Sequence, residues 1–324
     1  MSGAIDLSKL PGPSFLQETE FETLMQEQLD TLALIDPAYA AAIKVGDPGY
    51  NILLAVAYVR MYDRQKINES GRSVMLAYAT GADLDNLAAL FGLERQIIDA
   101  GDPEAVPLVP PTYEDDDALR AKVVLAPEGF STAGSIGAYK YHALTAGRQL
   151  TETVVESRSE NEVIIRKLIS PSGVTEAVKD ASVVSPAPGE VEVGVLSYNG
   201  NGTPSPALLT AVENALSAES ARPLADQVTV VAATITTYSI SATLYFLSGV
   251  DRAIVLEQAT SKLEAYVDDV HRLGRRMSVG GIQAACFQPG VVRVMVASPA
   301  ADITPGVHGA AYCTGITLAD GGVE

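Results

Sequence analysis

The chain has 324 residues, 47% of them hydrophobic, enough for two or three domains of roughly 150 residues with real cores. Its 22 Lys and Arg stand against 40 Asp and Glu, and the net charge of −18 repels nucleic-acid phosphates and anionic membrane surfaces alike. The first 120 residues hold 8 basic and 20 acidic side chains, a net of −12, so a basic protein partner would be drawn to that part.

No apolar run reaches the ~18 residues a membrane helix requires, and the segment from Met1 to Leu10 lacks the basic-then-apolar order of a secretory signal. Cys286 and Cys313 have no C-x-x-C spacing, which fits ordinary burial in a reducing compartment.

In chain order, Leu10-Pro11-Gly12-Pro13 is a rigid break before an amphipathic helix expected from about Phe15 to Leu34, with Phe21, Leu24, Leu32 and Ile35 near helical spacing. An alanine-rich turn or helix, Tyr39 to Val45, leads to the break Gly46-Asp47-Pro48-Gly49. A long helix follows, expected to run from Tyr50 to Ala79 if unbroken, with Gly71 as a bend. From Ile52 to Tyr62 only Arg60 is polar, so this half is apolar all round and has to be covered on several sides. Gly81 reads as its stop. Asp83 then caps a short helix carrying Leu84, Leu87 and Leu90, and Gly92 ends it.

Pro103, Pro107, Pro110 and Pro111 exclude regular helix and mark a domain boundary. Glu114-Asp115-Asp116-Asp117 reads as helix-start acids before Ala118 to Leu125, in preference to a cation site. Ser131 to Ser135 offers N-caps for a helix from about Ile136 to Thr145. Thr153-Val154-Val155 and Val163-Ile164-Ile165, flanking Ser159-Glu160-Asn161, read as a hairpin.

In the last part Glu190 to Val193 alternates as a strand, Pro204 to Ala218 is a helix, and Val228 and Val230 belong to a strand. Tyr238, Ile240, Ala242, Leu244 and Phe246 share one face of a further strand. A helix through Leu256, Ala259, Leu263, Val267 and Val270 and an apolar segment from Ile282 to Phe287 precede a strand through Val292, Val294 and Val296. The fold class is therefore α+β: a helical region at 1–110, a middle α+β domain with the hairpin at 111–186, and a C-terminal α+β domain at 187–324. In the last, the order βαββαβ suggests a ferredoxin-like split sheet.

Enzymatic templates find no match. There is no G-x-S-x-G elbow, no H-E-x-x-H and no phosphate-binding G-x-x-x-x-G-K-[ST] loop. Gly200-Asn201-Gly202 is turn chemistry, with no Lys or Arg behind it before Arg222. Asp83 and Asp85 read as first-turn acids. His142, His271 and His308 lie far apart in sequence, with His271 beside Arg272, Arg275 and Arg276, a basic cluster that suits a helix end. No catalytic, cofactor-binding or metal-binding residue is expected.

Several blocks in order resemble the baseplate J-like family of contractile-tailed bacteriophages and related injection machines. They are Leu10 to Pro13 with Phe21-Glu22; Arg64-Gln65 with Ile67-Asn68; Leu76 to Leu87; Tyr113 to Asp116 with Leu119-Arg120; Ser131 to Ser135 with Ala138-Tyr139 and Tyr141-His142-Ala143; Ser185-Pro186 with Pro188-Gly189; and Arg222-Pro223-Leu224 with Asp226. The resemblance spans nearly the whole chain. It implies a non-enzymatic structural wedge subunit of the virion tail baseplate, assembled in the bacterial cytoplasm and joined with its copies into a ring around the tail hub.

Implied partners are further copies of the chain, a tail-protein-I-like wedge protein met through the N-terminal helices, and other baseplate, hub and sheath-linking proteins. The candidate interface residues on those helices are Phe21, Leu24, Leu32, Ile52, Leu53, Val56, Tyr58, Val59, Tyr62, Leu84 and Leu87. Between about Glu152 and Ala181 the chain departs from the expected pattern, and this lengthened segment is expected to touch a neighbouring wedge or another baseplate protein. The alternative reading, from another class, is a tail-associated enzyme that degrades the cell wall; an adhesin fits less well, because the N-terminal part is helical.

Overall fold

The computed structural model describes residues 7–102, 105–131, 133–146, 150–159, 162–169, 174, 176–218, 221, 223 and 225–324, with the backbone alone for 150–159 and 162–169. Its helices and small sheets make an α+β protein. Two compact units divide between Glu94 and Arg95.

The first unit is helical: α1 (Phe21–Ile35), α2 (Pro37–Ala42), α3 (Pro48–Ser73) and α4 (Gly81–Ala89). α1 begins six residues later than the sequence pattern suggests, because Pro11 to Glu20 stays outside any helix and lies along α3 instead. α3, at 26 residues about 39 Å long, stops at Ser73 rather than Ala79. Its final Ser70-Gly71-Arg72-Ser73 run has poor helix propensity, and Ser73 Oγ bonds back to the Ser70 carbonyl.

Gly71 is therefore not a bend. A Cβ there would lie 2.3 Å from the Phe15 ring, so the glycine makes room for that ring. Gly81 opens α4 with φ +53 instead of closing α3; Thr80 is the N-cap and Asp83 sits in the first turn. Gly92, at φ +70, follows the end of α4 as expected.

The second unit opens with a short ladder, β1 (Ile97–Asp99) against β2 (Thr112–Tyr113), which closes the base of the proline-rich stretch; Pro103 lies outside the described residues. α5 (Asp116–Gly129) is capped by Asp115, and α6 (Ile136–Thr145) by Ser135, whose Oγ accepts from the Ala138 amide. The expected hairpin is present as β3 (Leu150–Ser159) antiparallel to β4 (Glu162–Ile169). Residues 160, 161 and 170–173 of the segment between Glu152 and Ala181 fall outside the described residues.

Two three-stranded sheets complete the unit. In the first, β6 (Glu190–Ser197) is central, antiparallel to β5 (Val178–Val184) and parallel to β7 (Gln227–Ala232). The parallel pair needs a crossover, supplied by α7 (Pro206–Ser217). Gly200 to Gly202 is the turn into it, with Asn201 Oδ1 accepting from the Thr203 amide. Leu125, Tyr139, Leu144, Val193, Val195, Leu208, Val212 and Leu216 form the core between this sheet and its helices.

In the second sheet β8 (Thr234–Phe246) is central, antiparallel to β9 (Val291–Ser298) and parallel to β10 (Gly309–Val323). The predicted face Tyr238, Ile240, Ala242, Leu244 and Phe246 is buried against Val255, Ala259, Leu263 and Val270 of α8 (Arg252–Val270) and Ile282 and Cys286 of α9 (Val279–Cys286). Each large apolar side chain so buried contributes about 1.5–3 kcal/mol.

The six elements in βαββαβ order do not form one split sheet. A single residue, Ala233, joins β7 to β8, too few for a hairpin, so the strand runs on from one sheet into the other. The Ala233 amide still bonds Val195 of β6, whereas the Thr234 amide bonds the His308 carbonyl just before β10. β8 then takes β10 as its parallel partner, a strand absent from the sequence reading.

Two histidines in this unit give stability a pH dependence. Burial holds His142 and His271 below the ordinary histidine range, and the Lys179 ammonium pushes His271 further down. In the unfolded chain both regain the ordinary value of 6.5. Above it neither state is charged and the difference in bound protons vanishes. Below it the unfolded chain binds protons that the folded chain refuses, so stability falls. Thermal melts are expected to be flat above about pH 7 and to drop between about pH 6.5 and 5; no change over that window would contradict the assignment.

Candidate assembly surface

α3 presents two unlike faces. Tyr50, Leu53, Ala57, Met61, Arg64, Asn68 and Gly71, spaced three and four apart, turn toward their own chain. Ala57 and α1's Leu24 are fully buried, with Met25, Phe21, Leu29 and Leu53 packed around them. The Phe21 and Tyr58 rings meet at 4.4 Å between centroids.

Polar clamps extend this face along the helix. Arg64 grips both carboxylate oxygens of Glu27, at 3.2 and 2.7 Å, and also donates to the Glu18 carbonyl. Asn68, buried, treats Gln17 as a strand neighbour would: its Oδ1 accepts from the Gln17 amide at 2.8 Å and its Nδ2 donates to the Gln17 carbonyl at 3.0 Å. Asn68 and the Phe15 ring over Gly71 strap the segment before α1 onto the C-terminal half of α3.

The other face is left open. Ile52, Tyr58, Val59 and Tyr62 are more than half exposed, and Val56 is 39% exposed. Asn51, Ile52, Ala55, Val56, Val59 and Arg60 line a shallow hollow on it. A second hollow runs between α1, α2 and the start of α3, lined among others by Leu29, Ala33, Ala40, Ile43 and Val45. Isolated exposed apolar residues are ordinary on a protein surface, but a stripe of five on one helix is not.

Of the remaining candidate interface residues, Phe21, Leu32, Leu53 and Leu87 are partly buried. Leu24 and Leu84 have no exposed surface at all. Those two belong to the chain's own core, since periodicity marks an apolar face without saying whether the same chain or another covers it.

The second unit shows what the other sequence blocks do. Asp115 caps α5 and Asp116 pairs with Arg95, but Glu114 is not a helix-start acid. It lies buried, bonded to Lys122 Nζ at 2.6 Å and to the Gln96 amide at 3.0 Å. Tyr139 donates its hydroxyl to Asp226 at 2.6 Å, and a Cβ at Gly134 would fall 2.7 Å from the same carboxylate. Arg222, Leu224 and Thr132 lie outside the described residues. Of the arginines beside His271, Arg275 pairs with Asp269 and Arg276 with Asp302. Blocks distant in sequence thus meet as internal clamps.

Comparison with known proteins agrees along the whole chain. Residues 46–102 match the baseplate J-like N-terminal domain, 172–232 the central domain and 238–319 the C-terminal domain. Baseplate protein J of Escherichia phage P2 is 37% identical over 326 residues, covering 99% of both chains. The chain belongs to the baseplate J-like family. It is a structural baseplate component of a phage tail, located in the virion.

The N-terminal family match begins at Gly46 and takes in all of α3 and α4, so the open face lies on a family element. The family matches end at Asp102 and resume at 172, so the β3–β4 hairpin lies between the matched N-terminal and central domains.

Proposed function

We propose that the chain is a baseplate wedge subunit whose copies join side by side into a ring around the tail hub. The uncovered face of α3 docks on a tail-protein-I-like partner or on another copy. The observation that carries this reading is the half-covered helix: one face is held by α1 and the strap, while Ile52, Val56, Val59 and Tyr62 face outward and Tyr58, its ring against Phe21, lies half-exposed at the edge. A stable interface buries about 1,200–2,000 Å² in total, more than these five side chains supply. Exposed Leu34, Ile35 and Val45 add apolar surface on the same unit.

The work of such a subunit lies in its interfaces, and the division into 1–110, 111–186 and 187–324 would separate assembly helices from the two α+β parts. The β3–β4 hairpin is a further contact arm toward a neighbouring wedge or baseplate protein. Co-expression with the neighbouring tail proteins, followed by light scattering on the purified product, tests the reading. A complex containing more than one chain is expected; a monomer under every combination would refute it.

A further inference from the structure

A cavity of about 450 Å³ opens in the second unit where α8 and β10 meet the first sheet. Its walls include Lys179 of β5, Tyr198 just after β6, Glu264 and Asp268 of α8, and Tyr312 and Ile316 of β10. The volume is that of a small-molecule or side-chain pocket rather than a packing defect. Beside it the β10 ladder skips Thr314 and Gly315, a bulge of the kind that accompanies binding sites.

The wall groups determine what could enter. Lys179 Nζ lies 2.5 Å from Asp268 Oδ1 and 3.3 Å from His271 Nδ1, so its charge is already matched. His271 Nε2 in turn meets the Asn201 carbonyl at 3.2 Å, which holds the ring as a wall. Glu264 stands one helical turn before Asp268 on the same face and has no partner among the described residues. The hydroxyls of Tyr198 and Tyr312 likewise have none, and burial holds the Tyr198 phenol protonated far above its ordinary range. The unmatched charge on the walls is therefore one carboxylate, and the same walls carry two aromatic rings, Tyr198 with Lys179 Nζ 5.9 Å from its centroid and Tyr312 with the His271 ring at 5.4 Å, so the lining already accommodates cationic and planar groups.

We propose that this cavity receives an arginine side chain presented by a neighbouring protein, with its guanidinium on Glu264 between the two tyrosines. This site is separate from the face of α3 and stands whether or not that face is the docking surface.

The test uses the full chain with labelled isoleucine methyl groups, titrated with an acetylated and amidated Gly-Arg-Gly peptide. The Ile316 methyl is expected to shift saturably, to stay still with the uncharged citrulline peptide, and to respond at least about tenfold more weakly in Glu264→Gln. Glu264 is solvent-exposed, and an unmoved signal from buried Ile240 verifies the fold of the variant. No shift at Ile316, an equal response to citrulline, or an unchanged affinity in Glu264→Gln would each overturn the proposal.

Discussion

A chain carrying Ile52→Asp together with Val59→Asp is expected to fold as before and to fail in assembly. Both side chains are largely exposed, at 65% and 60%, and neither takes part in the α1–α3 core. Their loss should cost the isolated chain no more than about 1 kcal/mol, mainly through helix propensity. In an assembled wedge the same two carboxylates would be buried without partners. That penalty, at least about 3 kcal/mol, weakens association more than a hundredfold.

Leu24→Asp serves as the contrast. Leu24 is fully buried in that core, so the first unit itself should unfold. Circular dichroism melts and pull-down with the co-expressed tail proteins separate the two outcomes. A double variant that still assembles would exclude this face as an interface.

The second large effect is expected at Lys122→Met. Lys122 and Glu114 are 3% and 2% exposed, and the pair is 2.6 Å apart. Removing the ammonium leaves a buried carboxylate whose remaining support is the Gln96 amide, a loss of about 3–5 kcal/mol. Replacing both partners, with Glu114→Gln beside Lys122→Met, should recover much of that loss, because the uncompensated charge is gone. The exposed pair Arg275–Asp269 offers the comparison: Arg275→Ala should cost less than about 1 kcal/mol. Urea midpoints for the four proteins measure the ranking, and a small effect at Lys122 would show that the pair is not the anchor of β2 and α5.

The family and the apolar nature of α3 were legible in the sequence, and so were the inner face of β8 and the limits of α6. Each rests on a local signal, such as strict alternation from Tyr238 to Phe246 or the caps before Ile136. What could not be read depended on partners distant in the chain. Glu114 looks like its acidic neighbours until Lys122 and Gln96 are folded against it. Asn68 and Gly71 look like ordinary helix positions until Gln17 and Phe15 arrive.

The separation of β7 and β8 into two sheets was missed because β10 went unrecognised. Ile316 and Leu318 alternating with Thr317 was the available signal there. Periodicity also counted Leu24 and Leu84 with the candidate interface, although both are covered from within. The apolar half from Ile52 to Tyr62 was marked by its sequence; which side of it stays open depends on α1 and the strap, which take the other face.

Amide hydrogen exchange along α3, compared between the isolated chain and the purified wedge complex, tests the central claim most directly. The amides from Ile52 to Tyr62 should exchange markedly more slowly in the complex, while those of β8, whose core face is covered within the chain, change little. Equal protection of Ile52 to Tyr62 in both states would contradict the claim that this half of α3 is an assembly surface.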